Sequence, residues 1–294
     1  MTRVVVIPAT SQSGLACVHS LLSNPGPVTA IRLVSRRAQA DAEKALTFSP
    51  PASVTLEVLG GVDASSDPAI LQKVFEGFDS ALLVTPHDYS AGISQDAAMT
   101  ENMIHAAAAA GIKHATLVGS WTVNEPVALS GLAARFVGPE AVLQNSGMFW
   151  TILRGGFFSQ NFKVHAGKIK ASQELVVTSG IFSPVDVDDI GRCAAATFRE
   201  GSAKHGGKIY EMNGPEELSI EEVFRVIGDV TGRVISVKVV PSSALPLQGF
   251  MKQAFEFYEK PGQKAPYTQD VGDLIGKEWT SFRSFVERNK SAFM

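Results

Sequence analysis

Cysteine is scarce in this sequence, and clusters of residues that bind metals are missing. Of the 294 residues only Cys17 and Cys193 are cysteines, and both lie in alanine-rich stretches typical of buried helices. We therefore expect two buried thiols without a disulfide and a reducing, cytoplasmic location. The six histidines are scattered along the chain, so we expect no bound metal.

Excess charge of either sign and long apolar runs are missing as well. Lys and Arg number 26 and Asp and Glu 29, which leaves a formal net charge of -3 and no electrostatic basis for binding nucleic acid or an anionic membrane. The longest apolar runs, such as residues 106–110, fall well below the roughly 20 residues that a membrane span needs. A strand pattern follows Met1 almost directly, so we expect no secretory signal. The expected partner is therefore a small-molecule substrate.

What the chain does contain is apolar, β-branched runs that alternate with helical patterns. Strand patterns cover residues 3–7, 29–35, 54–59, 79–85, 115–119 and 150–153, with helical patterns such as 14–22 and 132–145 between them. Strands that alternate with helices predict a parallel sheet covered on both faces, and right-handed crossovers make it doubly wound. We therefore predict an α/β fold with a doubly wound, parallel Rossmann-type sheet.

The pattern changes after residue 155, which predicts two domains. Residues 1–155 should form the Rossmann dinucleotide-type domain, and residues 156–294 a smaller, substrate-side α/β subdomain with segments returning to the sheet. In this second half, residues 176–177, 209–212 and 234–240 are strand-like, 201–207 form a polar loop, and 250–258 and 281–289 are helical. Residues 220–231 carry apolar side chains at helical spacing, with Ser219 as the expected N-cap.

The turn after the first strand has the position of a Rossmann phosphate loop but few of its glycines. Such a loop uses glycine where the chain turns tightly and where backbone approaches a pyrophosphate at a helix N-terminus. Here Pro8 and Ser11 stand at two of the three glycine positions and Gly14 at the third. The expected cofactor contacts in the turn are Thr10, Ser11, Gln12, Ser13 and Gly14. The sequence leaves open whether this loop still holds phosphates.

Two arginines, Arg36 and Arg37, follow the second strand, whose end meets the adenosine ribose in dinucleotide-binding folds. An acidic residue there suits the 2′-hydroxyl of NAD, whereas an arginine clamps a 2′-phosphate. The expected cofactor is therefore NADP(H), with Arg36 as its phosphate ligand. A solvated basic loop is the alternative interpretation.

Several segments together resemble the NmrA-like family of atypical short-chain dehydrogenases. Most specific is WTILRGGFFSQNF at residues 150–162, which is similar to the family's W/Y-T-I-L-R-P-G-x-F-x-x-N-x. The run PVDVDDIG at residues 184–191 resembles its D-x-x-D-I-G segment, and weaker matches cover nearly the whole chain. The resemblance implies a Rossmann domain with a small C-terminal domain, and either NADPH-dependent reduction or NADP-sensing regulation.

The residues that usually catalyse in such proteins are absent. Ordinary short-chain dehydrogenases use a Tyr-x-x-x-Lys pair, and none of the four tyrosines has a lysine four positions further on. Many NmrA-like reductases carry a lysine on the helix before the sixth strand, and Phe136 stands at that position. Glu140 matches an acidic position of the family and is a candidate acid/base if burial favours its protonated form. A solvent-facing helix residue is the alternative for Glu140.

Ligands of open α/β sheets bind beyond the carboxyl ends of the strands, which selects further candidates. Thr85 and His87 follow the fourth strand, and His87 is either a proton donor to the substrate or an exposed loop histidine. The expected substrate pocket joins apolar walls to neutral polar groups: Trp121, Asn124, Phe157, Phe158 and Asn161. Core packing is the alternative for Phe157 and Phe158, and Arg154 is expected to anchor a strand end.

Three functions remain open, and we rank them in the following order. The first is NADPH-dependent reduction of a small, fairly apolar carbonyl, enone or imine, with secondary metabolism as one setting and water or His87 supplying the proton. The second is a cofactor-independent isomerase, cyclase or dehydratase on a degenerate Rossmann scaffold, because Pro8, Ser11 and Phe136 all depart from cofactor-binding residues. The third is a non-catalytic, NADP-sensing regulator.

Overall fold

The computed structural model describes residues 1–86, 93–276 and 279–294. The chain divides into two units. Unit 1 comprises Met1–Ser120, Ala134–Arg154 and Ile190–Tyr210, and unit 2 comprises Trp121–Ala133, Gly155–Asp189 and Glu211–Met294. The division into domains at residues 1–155 and 156–294 stays a prediction.

A seven-stranded sheet is the central feature of the fold. The strands are β1 (Thr2–Ile7), β2 (Val28–Val34), β3 (Thr55–Leu59), β4 (Ser80–Val84), β5 (His114–Ser120), β6 (Phe149–Gly155), β7 (Leu175–Val177), β8 (Ile181–Phe182), β9 (Lys208–Met212), β10 (Leu218–Ser219) and β11 (Val237–Val239). The large sheet has the order β3-β2-β1-β4-β5-β6-β9, with β1 parallel to β2 and β4, β2 parallel to β3, and β4 parallel to β5. The strand order reverses at β1, which confirms the predicted doubly wound Rossmann-type sheet. Two small sheets pair β10 with β8 and β11 with β7.

Helices connect these strands along the whole chain. They are α1 (Gln12–Ser23), α2 (Gln39–Ala45), α3 (Pro68–Phe75), α4 (Ile93–Ala109), α5 (Ser130–Ala133), α6 (Val137–Gln144), α7 (Ala166–Lys170), α8 (Val187–Glu200), α9 (Ser202–His205), α10 (Ile220–Thr231), α11 (Gly249–Tyr258), α12 (Asp270–Ile275), α13 (Phe282–Arg288) and α14 (Lys290–Phe293). Short 3₁₀ helices span Trp121–Asn124, Ser159–His165 and Ser242–Ala244.

Each unit has its own hydrophobic core. In unit 1 the consecutive residues Val4, Val5 and Val6 are all buried, as expected for a strand with helices on both faces. The core of unit 2 is rich in phenylalanine, with Phe162 and Phe224 among its buried members. Aromatic side chains bury large areas, so a small unit of short elements gains much of its stability from them.

The helix α10 confirms the sequence pattern, whereas two other segments correct it. The hydroxyl of Ser219 accepts from the N–H of Glu222, and the Glu222 carboxylate accepts from the N–H of Ser219, which makes the expected N-cap a full capping box. The single helix predicted over 132–145 is instead α5 and α6, because Pro139 lacks the N–H of a helix interior and fits the first turn of a new helix. The polar loop predicted at 201–207 contains α9, whose His205 is fully buried.

Candidate functional site

The turn between β1 and α1 is closed by a serine in place of glycine. Ser11 is the N-cap of α1, and its hydroxyl accepts from the N–H of Gly14 at 3.0 Å and donates to the carbonyl of Pro8 at 2.9 Å. The Ser11 side chain is thus folded back into the turn. Among the described residues, Ser172 is the one non-glycine residue with a positive φ, so Pro8 and Ser11 need no glycine-like backbone.

Gly14 is the position in the turn where glycine is required. A Cβ atom placed there would lie 2.7 Å from the carbonyl oxygen of Pro8 and 2.8 Å from the hydroxyl of Ser11. These distances are shorter than van der Waals contact, so α1 approaches the turn more closely than any larger residue allows. The close approach brings the first turn of α1 against the end of β1.

The N-terminus of α1 has the properties of an anion site. The helix is 12 residues long and has no acidic residue in its first turn, so nothing opposes the positive end of its dipole. Thr10 is half-buried and Gln12 is exposed, whereas Ser13 is buried. The N–H of Ser11 donates to the carbonyl of Pro8 and that of Gly14 to the Ser11 hydroxyl, so the N–H groups of Gln12 and Ser13 are the ones that would face two linked phosphates.

Arg36 and Arg37 are exposed at the end of β2, and within the described parts of the chain neither guanidinium has an ion-pair or hydrogen-bond partner. Backbone contacts fix the loop beneath them. The N–H of Gly61 donates to the carbonyl of Arg37 at 2.6 Å, and a Cβ at Gly60 would lie 2.5 Å from the Cα of Gln39. Two uncompensated cations on a fixed loop fit a 2′-phosphate.

Thr85 follows β4, and its hydroxyl is buried without a hydrogen-bond partner in the described part of the chain. Buried hydroxyls nearly always have a partner, so an orphaned one at a strand's carboxyl end fits a ligand group. The phosphate turn, the two arginines and Thr85 together fit a dinucleotide. His87, the predicted proton donor, lies outside the described residues.

Glu140 is buried and paired with Arg154. The Arg154 guanidinium donates to its carboxylate, with Nη2 at 2.7 Å from Oε2 and Nε at 3.2 Å from each oxygen. Glu140 is 3% exposed, so the alternative of a solvent-facing residue is wrong. Its acid/base role stays a prediction. Arg154, as expected, anchors the end of β6.

Sequence reasoning missed Arg135, the neighbour of the half-buried Phe136 that replaces the family lysine. Its guanidinium lies 2.9 Å from the buried carboxylate of Asp96 and donates to the carbonyl of Pro86 at 3.2 Å. The chain therefore carries a buried cation against the end of β4, next to Thr85. Spacing alone could not reveal this contact, because Asp96 and Pro86 lie far from Arg135 in sequence.

The predicted pocket residues of unit 2 fall into two groups. Trp121 and Phe157 contact the same aromatic ring, that of Tyr258, at centroid distances of 5.9 and 6.2 Å. Asn124 and Asn161 are exposed, and the Asn124 amide donates to Glu211 at 2.9 Å. Phe158 is half-buried and bridges to Val185. The structure thus brings Trp121 and Phe157 together, and it does not place either asparagine in their aromatic cluster.

The segment at 184–191 anchors the C-terminal helix. Asp186 accepts from Gln160 at 2.7 Å and pairs with Arg288 of α13. Asp189 accepts from the N–H of Thr280 at 2.6 Å. Both carboxylates are buried and engaged, so these residues have a structural role.

No group of three His, Cys, Asp or Glu side chains in the described part of the chain is arranged to hold a metal ion. No helix among the same residues has the length and apolar character needed to cross a membrane.

The fold and the turn define a Rossmann protein with a nicotinamide dinucleotide site, and comparisons with known proteins agree. The model of the NAD(P)H-binding family matches residues 9–200, so the chain belongs to that family. This match confirms the expected NAD(P)H-type cofactor and agrees with the NmrA-like resemblance.

Individual relatives resemble the chain over most of its length. The (4-alkanoyl-5-oxo-2,5-dihydrofuran-3-yl)methyl phosphate reductase of Streptomyces griseus is 26% identical, with 99% of each chain covered. The NAD(P)H azoreductase of Xenophilus azovorans is 29% identical over 85% of this chain and 90% of its own. The crystal structure of NmrA, a negative transcriptional regulator, superposes with a TM-score of 0.74 at 14% identity, covering 98% of this chain and 95% of that one. The likeness to NmrA is one of fold.

Proposed function

We propose that this chain is an NADPH-dependent reductase of small, fairly apolar carbonyl, enone or imine compounds. The observation that carries the proposal is the turn between β1 and α1, in which Ser11 caps a helix that has no acidic residue in its first turn. The family match and two relatives that are named reductases support it. The preference for NADPH over NADH rests on Arg36 and Arg37.

Each group of residues has a distinct task in this proposal. The first turn of α1 binds the pyrophosphate, Arg36 and Arg37 bind the 2′-phosphate, and the Thr85 hydroxyl orients the nicotinamide end. The bound cofactor supplies a hydride to the substrate. Trp121 and Phe157 provide apolar contacts for the substrate, and water or His87 supplies the proton.

The test is a fluorescence titration of the protein with NADPH and NADH, followed by NADPH oxidation with a panel of quinones, enones and imines. We expect NADPH to bind more tightly than NADH, and an Arg36→Ala, Arg37→Ala double variant to lose about 10- to 100-fold in NADPH affinity with NADH affinity unchanged, the effect of losing a charge-assisted hydrogen bond. Arg283→Ala is the control, since Arg283 is an exposed arginine of unit 2 paired with Asp229.

Two results would count against the proposal. Absence of NADPH binding at near-millimolar concentration would exclude hydride transfer and leave a cofactor-independent enzyme. NADPH binding without turnover of any compound in the panel would favour an NADP-sensing regulator.

A further inference from the structure

Tyr258 of unit 2 combines burial with a hydroxyl that donates to no acceptor among the described residues. It ends α11 and is 7% exposed. Four rings surround it: Phe182 at 4.8 Å, Phe257 at 5.7 Å, Trp121 at 5.9 Å and Phe157 at 6.2 Å between centroids. The sequence test for a Tyr-x-x-x-Lys pair had set this tyrosine aside.

The hydroxyl hydrogen of Tyr258 is the part of this side chain that is left without a partner among the described residues. The Trp121 indole N–H can only donate, and its interaction with the Tyr258 hydroxyl lowers the pKa of that group less than burial raises it. Among the described residues, no acceptor takes the phenolic hydrogen. Burial also raises the pKa of Tyr258, so the hydroxyl keeps its hydrogen throughout the working pH range.

Two further hydroxyls of unit 2 are buried without partners in the described part of the chain. Ser159 is 1% exposed and Thr178 is 2% exposed, and the Oγ atom of each lacks a hydrogen bond in the described part of the chain. Ser159 lies two residues from Phe157, and Thr178 lies two residues from Gly180, where a Cβ would be 3.3 Å from the Cβ of Tyr258. Since buried hydroxyls are nearly always satisfied, unused ones in the same unit as Tyr258 are compatible with a polar ligand group bound in unit 2.

We propose that Tyr258 donates a hydrogen bond to the carbonyl oxygen of an aromatic or other apolar carbonyl substrate packed against Trp121 and Phe157. The inference rests on the proposed reductase function and names the substrate class of that activity. Tyr258 binds and polarises the carbonyl in this role and transfers no proton.

The test measures binding without turnover, by calorimetric titration of the full chain with 1-tetralone, an aromatic ketone, and with tetralin, the same ring system without the carbonyl. Both ligands are titrated with and without saturating NADP⁺. For Tyr258→Phe we expect about tenfold weaker binding of 1-tetralone and unchanged binding of tetralin, since only the ketone loses a hydrogen bond. Tyr267→Phe is the matched control, because the exposed Tyr267 donates its hydroxyl to Pro215 elsewhere in unit 2.

Equal loss of affinity for both ligands in Tyr258→Phe, or no loss for either, would overturn the inference and leave Tyr258 as a residue of the hydrophobic core. Failure of the unaltered protein to bind 1-tetralone would overturn it as well. NADPH binding in the same preparations separates the two proposals, because cofactor binding can persist when the role of Tyr258 fails. Thermal unfolding of each variant confirms that it is folded.

Discussion

Replacing Gly14 with alanine tests the close approach of α1 to the turn. The new Cβ would lie 2.7 Å from the Pro8 carbonyl and 2.8 Å from the Ser11 hydroxyl, so the helix must move or the cap must break. Overpacking costs about 1–3 kcal/mol and a lost N-cap about 1 kcal/mol, while alanine returns up to about 1 kcal/mol of helix propensity. We expect a net loss of about 1–3 kcal/mol, seen as a fall in Tm of roughly 2–12 °C.

The same substitution should weaken the binding of NADPH, because the N–H groups that would face its phosphates belong to the displaced turn. Thermal unfolding with and without NADPH measures both effects, and the stabilisation by NADPH should shrink in Gly14→Ala. Gly167→Ala is the matched control, since Gly167 lies in α7 with open space where a Cβ would be added. Unchanged Tm and NADPH affinity in Gly14→Ala would refute the packing argument.

Two further predictions concern buried titratable residues of unit 1. Glu140→Ala should lower the free energy of unfolding, measured in urea, by about 3 kcal/mol because it removes the carboxylate that compensates Arg154. Glu140→Gln should keep kcat within about threefold. A hundredfold loss of kcat in Glu140→Gln would instead establish Glu140 as an acid/base. His114 is buried with its pKa lowered to about 4, chiefly by burial and further by His205, so between pH 6.5 and 4 the unfolded chain takes up a proton that the folded one refuses. Stability should therefore fall by roughly 3 kcal/mol as the pH drops through that window. A His114→Gln variant should lose the His114 share of this dependence and keep that of His165, whose pKa burial also lowers, while His19→Gln, at an exposed position, should keep both.

The elements that the sequence predicts well are those defined by local patterns. The helix α10 follows from apolar spacing and from Ser219 with Glu222, all within one stretch of chain. The short strands β8 and β10 have two residues each, too few for any periodicity, and they exist because they pair with each other.

The candidate site was harder to predict because its chemistry depends on contacts between distant residues. The bidentate pairing of Glu140 with Arg154, and the contact of Arg135 with Asp96, arise only when the strands and helices are assembled. Similarly, Pro8 and Ser11 look like losses in a glycine pattern, yet the Ser11 hydroxyl closes the turn through bonds to Pro8 and Gly14. Sequence reasoning could name the turn, the arginines and Thr85, because strand ends in this fold bring such residues to one edge of the sheet.

A crystal structure of the protein grown with NADP⁺ tests the central claim most directly. We predict that the pyrophosphate will lie within hydrogen-bond distance of the backbone N–H groups at the start of α1, with the 2′-phosphate against Arg36 or Arg37. A dinucleotide bound elsewhere, or a saturating concentration that leaves this turn empty, would contradict the account.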